Sequence, residues 1–259
     1  MRNIWRKIKS WFKRDEPTGV VMRPRPEPET EHPRKLERKN VLIDFAVQST
    51  VRMPVRGTYS DGWPKGLVVH FTAGRRGGIR KALDSVKSGS EKGFTYLVIG
   101  DDGSLVQGHP VEQWGYHAGE SKWPGLKSSV HKDLIGVEIN CAGKLERIAP
   151  GKLQTWFGTP VPLENARRVE ESEWGCPTGY YEKFTDKQEE TLMRLILWLK
   201  RNDPTGKTFS FDFVLGHHEV SGKRGIGRWR KNDPGGSLSM SMDKFRERLK
   251  QQWEMDSRV

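Results

Sequence analysis

Apolar positions along this chain fall into short runs closed by turn residues, with two longer stretches at helical spacing. GLVVHFTAG at 66–74 is an apolar run ending in Ala-Gly, which predicts a buried strand. VLIDFAVQS at 41–49 begins apolar and suits a strand opening the compact region near Val41. FTYLVIGDDGSLVQ at 94–107 predicts a hairpin, two apolar runs around Asp-Asp-Gly. LIGVEIN at 134–140 and FDFVLG at 211–216 read as further short strands. Ile79, Ala82, Leu83 and Val86 share one side of a short helix over 79–87. The clearest helix is 186–200, where Thr185 and Gln188 form a capping box. Leu192, Leu195, Ile196 and Leu199 make its apolar stripe, and Asn202, Pro204 and Gly206 mark its exit. A last helix over 242–252 turns Phe245 and Leu249 inward. Strands mixed with helices predict an α/β (α+β) domain, and no repeat is evident.

The first forty residues follow a different pattern. In MRNIWRKIKSWFKR (1–14), Ile4, Trp5, Ile8, Trp11 and Phe12 fall at helical spacing among six basic residues. Such a basic amphipath suits an anionic membrane or envelope surface; docking on its own domain and disorder are the other readings. Residues 15–40 hold Pro17, Pro24, Pro26, Pro28 and Pro33 among charges and read as a linker. The compact domain is then 41–259.

Charge changes this picture less than its size suggests. The formal net charge is +12, which favours anionic partners such as nucleic acid, anionic lipid or an acidic wall polymer. Residues 1–40 carry 12 Lys/Arg and 6 Asp/Glu, so +6 of that excess lies outside the compact region. With no nucleic-acid motif either, no nucleic acid is expected as partner. No apolar run reaches membrane-span length and no secretory segment follows the charged start. The expected location is therefore cytoplasmic until lysis, or phage-associated, with action on the cell wall. Cys141 and Cys176 are too few for a disulfide scaffold, and their pairing is open.

The candidate chemistry lies at the ends of apolar strands. His70 closes one strand, His217 follows another in GHHEV, and Asp233 stands in KNDPG, where Pro and Gly can fix its direction. Two imidazoles and a carboxylate are one ligand set for a catalytic zinc ion with a position left for water. A solvated basic loop is the alternative for residues 216–236.

Taken in order, VVHFTAG, FTYLVIGDDGSLVQ, WGYHAGES, LIGVEIN, GHHEV and KNDPG resemble the zinc-dependent N-acetylmuramoyl-L-alanine amidases, which include phage T7-type lysozyme, cytoplasmic anhydro-muropeptide amidases and peptidoglycan recognition proteins. The likeness runs through about 66–250. It implies a central mixed β-sheet flanked by helices, one Zn2+ per chain on His70, His217 and Asp233, and a monomer acting on peptidoglycan. It places Glu138 as the group that moves the water proton to the leaving amine, and Lys231 as the partner of the developing oxyanion. Read from the residues alone, Glu138 can be a strand-edge acid and Lys231 one of a solvated basic run. The resemblance places His117 in the substrate groove; packing near Trp114 is the other reading. Glu219 is expected behind a ligand imidazole. If the register shifts by one, His218 replaces His217. A binding module on the same fold is the alternative function.

The chain departs from the family in two places. Phe94 stands where the phage-lysozyme branch has a catalytic tyrosine, with Tyr96 nearby, which shifts weight to Glu138. The loop SGKRGIGRWR is also longer than expected; Arg224, Arg228 and Arg230 form either a basic wall for stem-peptide carboxylates or solvated decoration. Trp123 is a further groove candidate, and Trp156 and Phe157 can line a groove or cap a core.

Overall fold

The computed structural model describes residues 40–258 except 53–55, 95–96, 127–128 and 222–229. Contacts divide the chain between Glu37 and Arg38, and all that follows concerns the second unit. The expectations for 1–14 and 15–39, and those for Tyr96, Arg224 and Arg228, lie outside the described residues.

Strands β1 (Val47–Gln48), β2 (Gly57–Thr58) and β3 (Gly66–Phe71) precede helix α1 (Gly78–Lys92). Then come β4 (Leu97–Ile99), β5 (Leu105–Gln107), β6 (Gln113–Trp114) and β7 (Leu134–Ile139). A run of short strands follows: β8 (Lys144–Ala149), β9 (Lys152–Gln154), β10 (Pro160–Val161), β11 (Ala166–Val169) and, after α2 (Glu171–Trp174), β12 (Gly179–Glu182). The chain closes with α3 (Asp186–Arg201), β13 (Val214–Gly216), α4 (His217–Ser221) and α5 (Met242–Asp256).

The central sheet has the order β1-β5-β4-β7-β3-β13. It is mixed: β4 and β5 pair antiparallel, while β4, β7, β3 and β13 run parallel. Strand alternation sorts its side chains onto two faces. Leu67, Val69, Ile135, Val137 and Ile139 point to the main core, where α3 supplies Leu192, Leu195, Ile196 and Leu199 and α5 supplies Phe245 and Leu249. The four α3 residues are fully buried, each worth roughly 2 kcal/mol of hydrophobic stabilisation. The capping box at the start of α3 is formed as the sequence predicts, Thr185 accepting from Gln188 N and Gln188 accepting from Thr185 N. On the opposite face α1 covers Val98 and Val106 with Ala82 and Val86, and Val68, Leu134 and Leu215 pack with Ala118, Val130 and Val220.

One layer was not anticipated. Residues 144–182, between β7 and α3, form a second, antiparallel sheet in the order β10-β9-β8-β12-β11. Its Tyr181 and Val169 sit against Gly235 and Gly236, two and three residues past Asp233. A Cβ on Gly235, whose φ is +47°, would come within 2.4 Å of the Tyr181 ring, so only glycine allows this approach. The second sheet therefore supports the turn that carries Asp233.

Candidate metal and catalytic site

Parallel register brings the first two site residues together. His70 on β3 is the direct partner of Glu138 on β7, and Val98 on β4 lies on the other side of Glu138. His217 opens α4 immediately after β13, the other neighbour of β3. His217 and His218 begin a short helix, and their roles separate. His217 Nδ1 lies 3.0 Å from His70 Nδ1 and 2.9 Å from Asp233 Oδ2. His218 turns away, its backbone N–H (2.9 Å) and its Nδ1 (3.0 Å) both meeting Asp233 O. His218 thus holds the Asp233 turn by its backbone.

The third edge of the triangle, His70 Nδ1 to Asp233 Oδ2, is 3.0 Å. All three residues are buried. Hydrogen-bond partners behind the rings assign their tautomers. His117 Nε2 faces Leu134 O at 2.9 Å and must carry a proton to donate there. Burial first, then the neighbouring His70, pushes the His117 pKa well below its ordinary value. The ring is therefore neutral and its Nδ1 bare. That Nδ1 lies 3.0 Å from His70 Nε2, so His70 donates from Nε2. Burial, followed by His217, lowers the His70 pKa to about 4, which leaves its Nδ1 a lone pair. His217 Nε2 faces Ala118 O at 3.2 Å, an acceptor for an N–H on that nitrogen. Two imidazole nitrogens and a carboxylate oxygen then converge at about 3 Å. Deprotonated, these N, N and O donors suit zinc.

Asp233 is ionised. Burial opposes this, but His217 and the contacts with His217 and His70 outweigh it and hold the carboxyl far below the usual range. Glu138 behaves oppositely. Burial, reinforced by Asp233 and opposed by Lys231, raises its pKa well above the ordinary value. Its Oε2 is buried with no hydrogen-bond partner among the described residues. Lys231 is solvent-exposed, near enough to act on both His70 and Glu138.

The other expected residues are placed as follows. His117 lies behind His70, and Gly136 makes room for it: a Cβ there would meet the imidazole Cγ at 2.6 Å. Glu219 does not orient an imidazole by direct contact. Its carboxylate accepts from Gly216 N at 2.7 Å and takes both guanidinium nitrogens of Arg246 at 3.0 Å. The reason is helical geometry: two residues on from His217, Glu219 turns back to β13 and α5. Arg230 is exposed and donates to Ala118 O (3.3 Å) and Glu120 O (2.9 Å), bracing the His117 loop. Trp123 is half-buried against the Val68 cluster. Phe94 is exposed and bridges to Tyr116. Cys141 and Cys176 are buried free thiols, raised by burial to about 12 and about 11.

Sequence reasoning missed Tyr116 and His131, whose rings meet each other at 5.0 Å and that of Trp114 at 5.6–5.7 Å, beside His117. The aromatic density of WGYH was the available signal.

A family model described as N-acetylmuramoyl-L-alanine amidase matches residues 60–236. Among solved structures, a selenomethionine derivative of AmpD is 20% identical, covers 80% of this chain and 95% of its own, and superposes with a TM-score of 0.48. The N-acetylmuramyl-L-alanine amidase AmiD from E. coli, complexed with anhydro-N-acetylmuramic acid-L-Ala-D-gamma-Glu-L-Lys, is 18% identical over 72% of this chain and 57% of its own, with a TM-score of 0.45. The N-acetylmuramoyl-L-alanine amidase LysC from Clostridium intestinale is 17% identical over 79% and 97%, with a TM-score of 0.41. No curated protein matches the chain.

Proposed function

The chain belongs to the N-acetylmuramoyl-L-alanine amidase family, and from that premise we propose that it is a zinc hydrolase of peptidoglycan. The bond cut joins the lactyl group of N-acetylmuramic acid to L-alanine. The observation that carries this reading is the buried triangle of His70 Nδ1, His217 Nδ1 and Asp233 Oδ2, each imidazole with its other nitrogen committed elsewhere.

One zinc ion on those three atoms would supply Lewis acidity toward a water and the scissile carbonyl. The chain's own residues do the rest. Glu138, held basic by burial, takes the proton of the attacking water and delivers it to the leaving amine. Its partnerless Oε2 fits that task. Lys231 offsets negative charge growing on the carbonyl oxygen. His117 keeps the His70 tautomer that presents Nδ1. Phe94 has no hydroxyl to share in this chemistry. The setting we favour is lysis or degradation of a bacterial wall, supported by the basic, Trp-containing start of the sequence.

The test is zinc content measured beside release of L-alanine-terminated peptides from purified peptidoglycan, for the wild type and Asp233→Ala. About one zinc per chain, with metal and cleavage both lost in the variant, is the expected result. Zinc without cleavage would reassign the chain as a peptidoglycan-binding module. The absence of both zinc and cleavage would refute the reading.

A further inference from the structure

Behind the triangle both imidazoles meet one short stretch of chain, residues 117–120. His117 Nδ1 lies 3.0 Å from His70 Nε2, and the carbonyl of the next residue, Ala118 O, lies 3.2 Å from His217 Nε2. The stretch belongs to no helix or strand. Gly119 turns it at φ +57°, and Gly119 and Glu120 are exposed. Its first two residues are anchored, His117 Nε2 lying 2.9 Å from Leu134 O and Ala118 packing in the Val68 cluster. With no sheet ladder to take them, its carbonyls need partners of another kind.

Arg230 serves two of those carbonyls. Its Nη2 donates to Glu120 O at 2.9 Å and to Ala118 O at 3.3 Å, while Ser121 Oγ donates to the carbonyl between them, Gly119 O, at 3.2 Å. At its other end Arg230 is fixed to α4. Its backbone N–H donates to Ser221 O at 3.2 Å, and Ser221 Oγ donates to His217 O at 2.7 Å. A second tie joins the same elements, Lys122 N to Val220 O at 3.1 Å. Lys231 and Asp233 follow Arg230 by one and three residues. Arg230 therefore cross-links three pieces: the helix that opens with His217, the stretch behind both histidines, and the chain that leads to Asp233.

We propose that Arg230 is a positioning residue of the zinc site, holding Ala118 O and the His117 ring where they back His217 and His70. The inference rests on the zinc reading, since it concerns how well the triangle is set for a metal. It gives Arg230 a task other than the basic wall, because Nη2 is already engaged on two carbonyls. Two effects oppose each other when the guanidinium is removed. Loss of a positive charge near a dication tightens metal binding by Coulomb's law. Loosening the groups that fix the imidazoles weakens it, by roughly tenfold where a partner behind a metal-binding histidine is lost. The sign of the change therefore separates a brace from a mere charge.

The experiment compares the wild type, Arg230→Met and Arg230→Lys. It reads zinc affinity by chelator competition at fixed pH and the visible spectrum of the cobalt(II)-loaded protein, with the thermal midpoint of the metal-free protein as folding control. Arg230→Met keeps the stem but no donor, and is expected to lose zinc affinity roughly tenfold and to shift the cobalt bands. Arg230→Lys, whose ammonium can donate to both carbonyls, is expected to recover part of the loss. Unchanged or tighter zinc with an unaltered cobalt spectrum in Arg230→Met would overturn the inference, whatever happens to the midpoint. So would a raised KM for soluble muropeptide at unchanged metal affinity, which would return Arg230 to the substrate wall. A wild type that takes up no zinc would sink the zinc reading and the inference with it. Zinc held tightly by the wild type and loosely by Arg230→Met, with cleavage by neither, would sink the hydrolase reading and leave this inference standing.

Discussion

The ring behind the His70, His217 and Asp233 triangle makes the sharpest prediction of the proposed zinc site. His117→Phe keeps a planar ring over Gly136 but removes both nitrogens. Leu134 O loses its donor, and His70 Nε2–H loses the acceptor 3.0 Å away. The lost carbonyl contact is common to the metal-free and metal-loaded protein, so it lowers stability without touching zinc affinity. The His70 contact is different. Without its acceptor a neutral His70 has no reason to keep its proton on Nε2, and it can place that proton on Nδ1, facing Asp233 Oδ2. Metal binding must then undo that arrangement and leave a buried N–H unpaired. An unpaired buried donor costs about 1–3 kcal/mol, which is roughly tenfold to a hundredfold in affinity. Competition with a chelator of known zinc affinity at fixed pH measures the change. His117→Asn, which restores an acceptor near the former Nδ1, should recover most of it although it does not restore the aromatic ring. Unchanged zinc affinity in His117→Phe, or an equal loss in His117→Asn, would refute the tautomer relay.

Three other outcomes follow from the same geometry. Glu138→Gln should keep zinc and lose roughly 10²–10⁴ in turnover; because burial and then Asp233 raise the Glu138 pKa, the wild-type rate should fall with decreasing pH at values above those of an ordinary glutamate, as steady-state profiles will register. His217→Ala should abolish stoichiometric zinc by metal analysis, whereas His218→Ala should lower the melting temperature, through the Asp233 carbonyl, while keeping one zinc per chain. Asp203 accepts from Phe209 N (2.8 Å), Thr205 N (3.0 Å) and Thr205 Oγ1 (2.9 Å); burial opposes ionisation, but these bonds prevail and its folded pKa lies below the ordinary value. Its stabilisation is therefore present above the unfolded pKa and lost as pH falls through the folded one, so Asp203→Ala should cost about 1–2 kcal/mol near neutrality and progressively less in acid, as urea titrations at several pH values will measure.

What the sequence disclosed depended on how far each feature relies on distant residues. The strand at 66–71 and the helix at 186–201 were legible because burial writes a local pattern: β3, buried on both faces, is a continuous apolar run closed by Ala-Gly, and four apolar residues stripe α3. His70 beside Glu138 was not legible from the residues themselves. Their pairing comes from parallel register across 68 positions, and only the order of motifs brought them together beforehand. The second sheet was missed for a related reason. Its strands are two to six residues long and half-exposed, so no apolar period builds up. One local signal was present, Pro150-Gly151 between IleAla and LysLeu runs, which is hairpin punctuation. Glu219 shows the opposite limit. Its proximity in sequence to His217 suggested service to that ring, but a helical step sent the carboxylate to Arg246, 27 residues on. An acid near a ligand histidine therefore says little until the local dihedrals are known. An imidazole whose second nitrogen meets a carbonyl says much more, because the position of its proton follows from that contact alone.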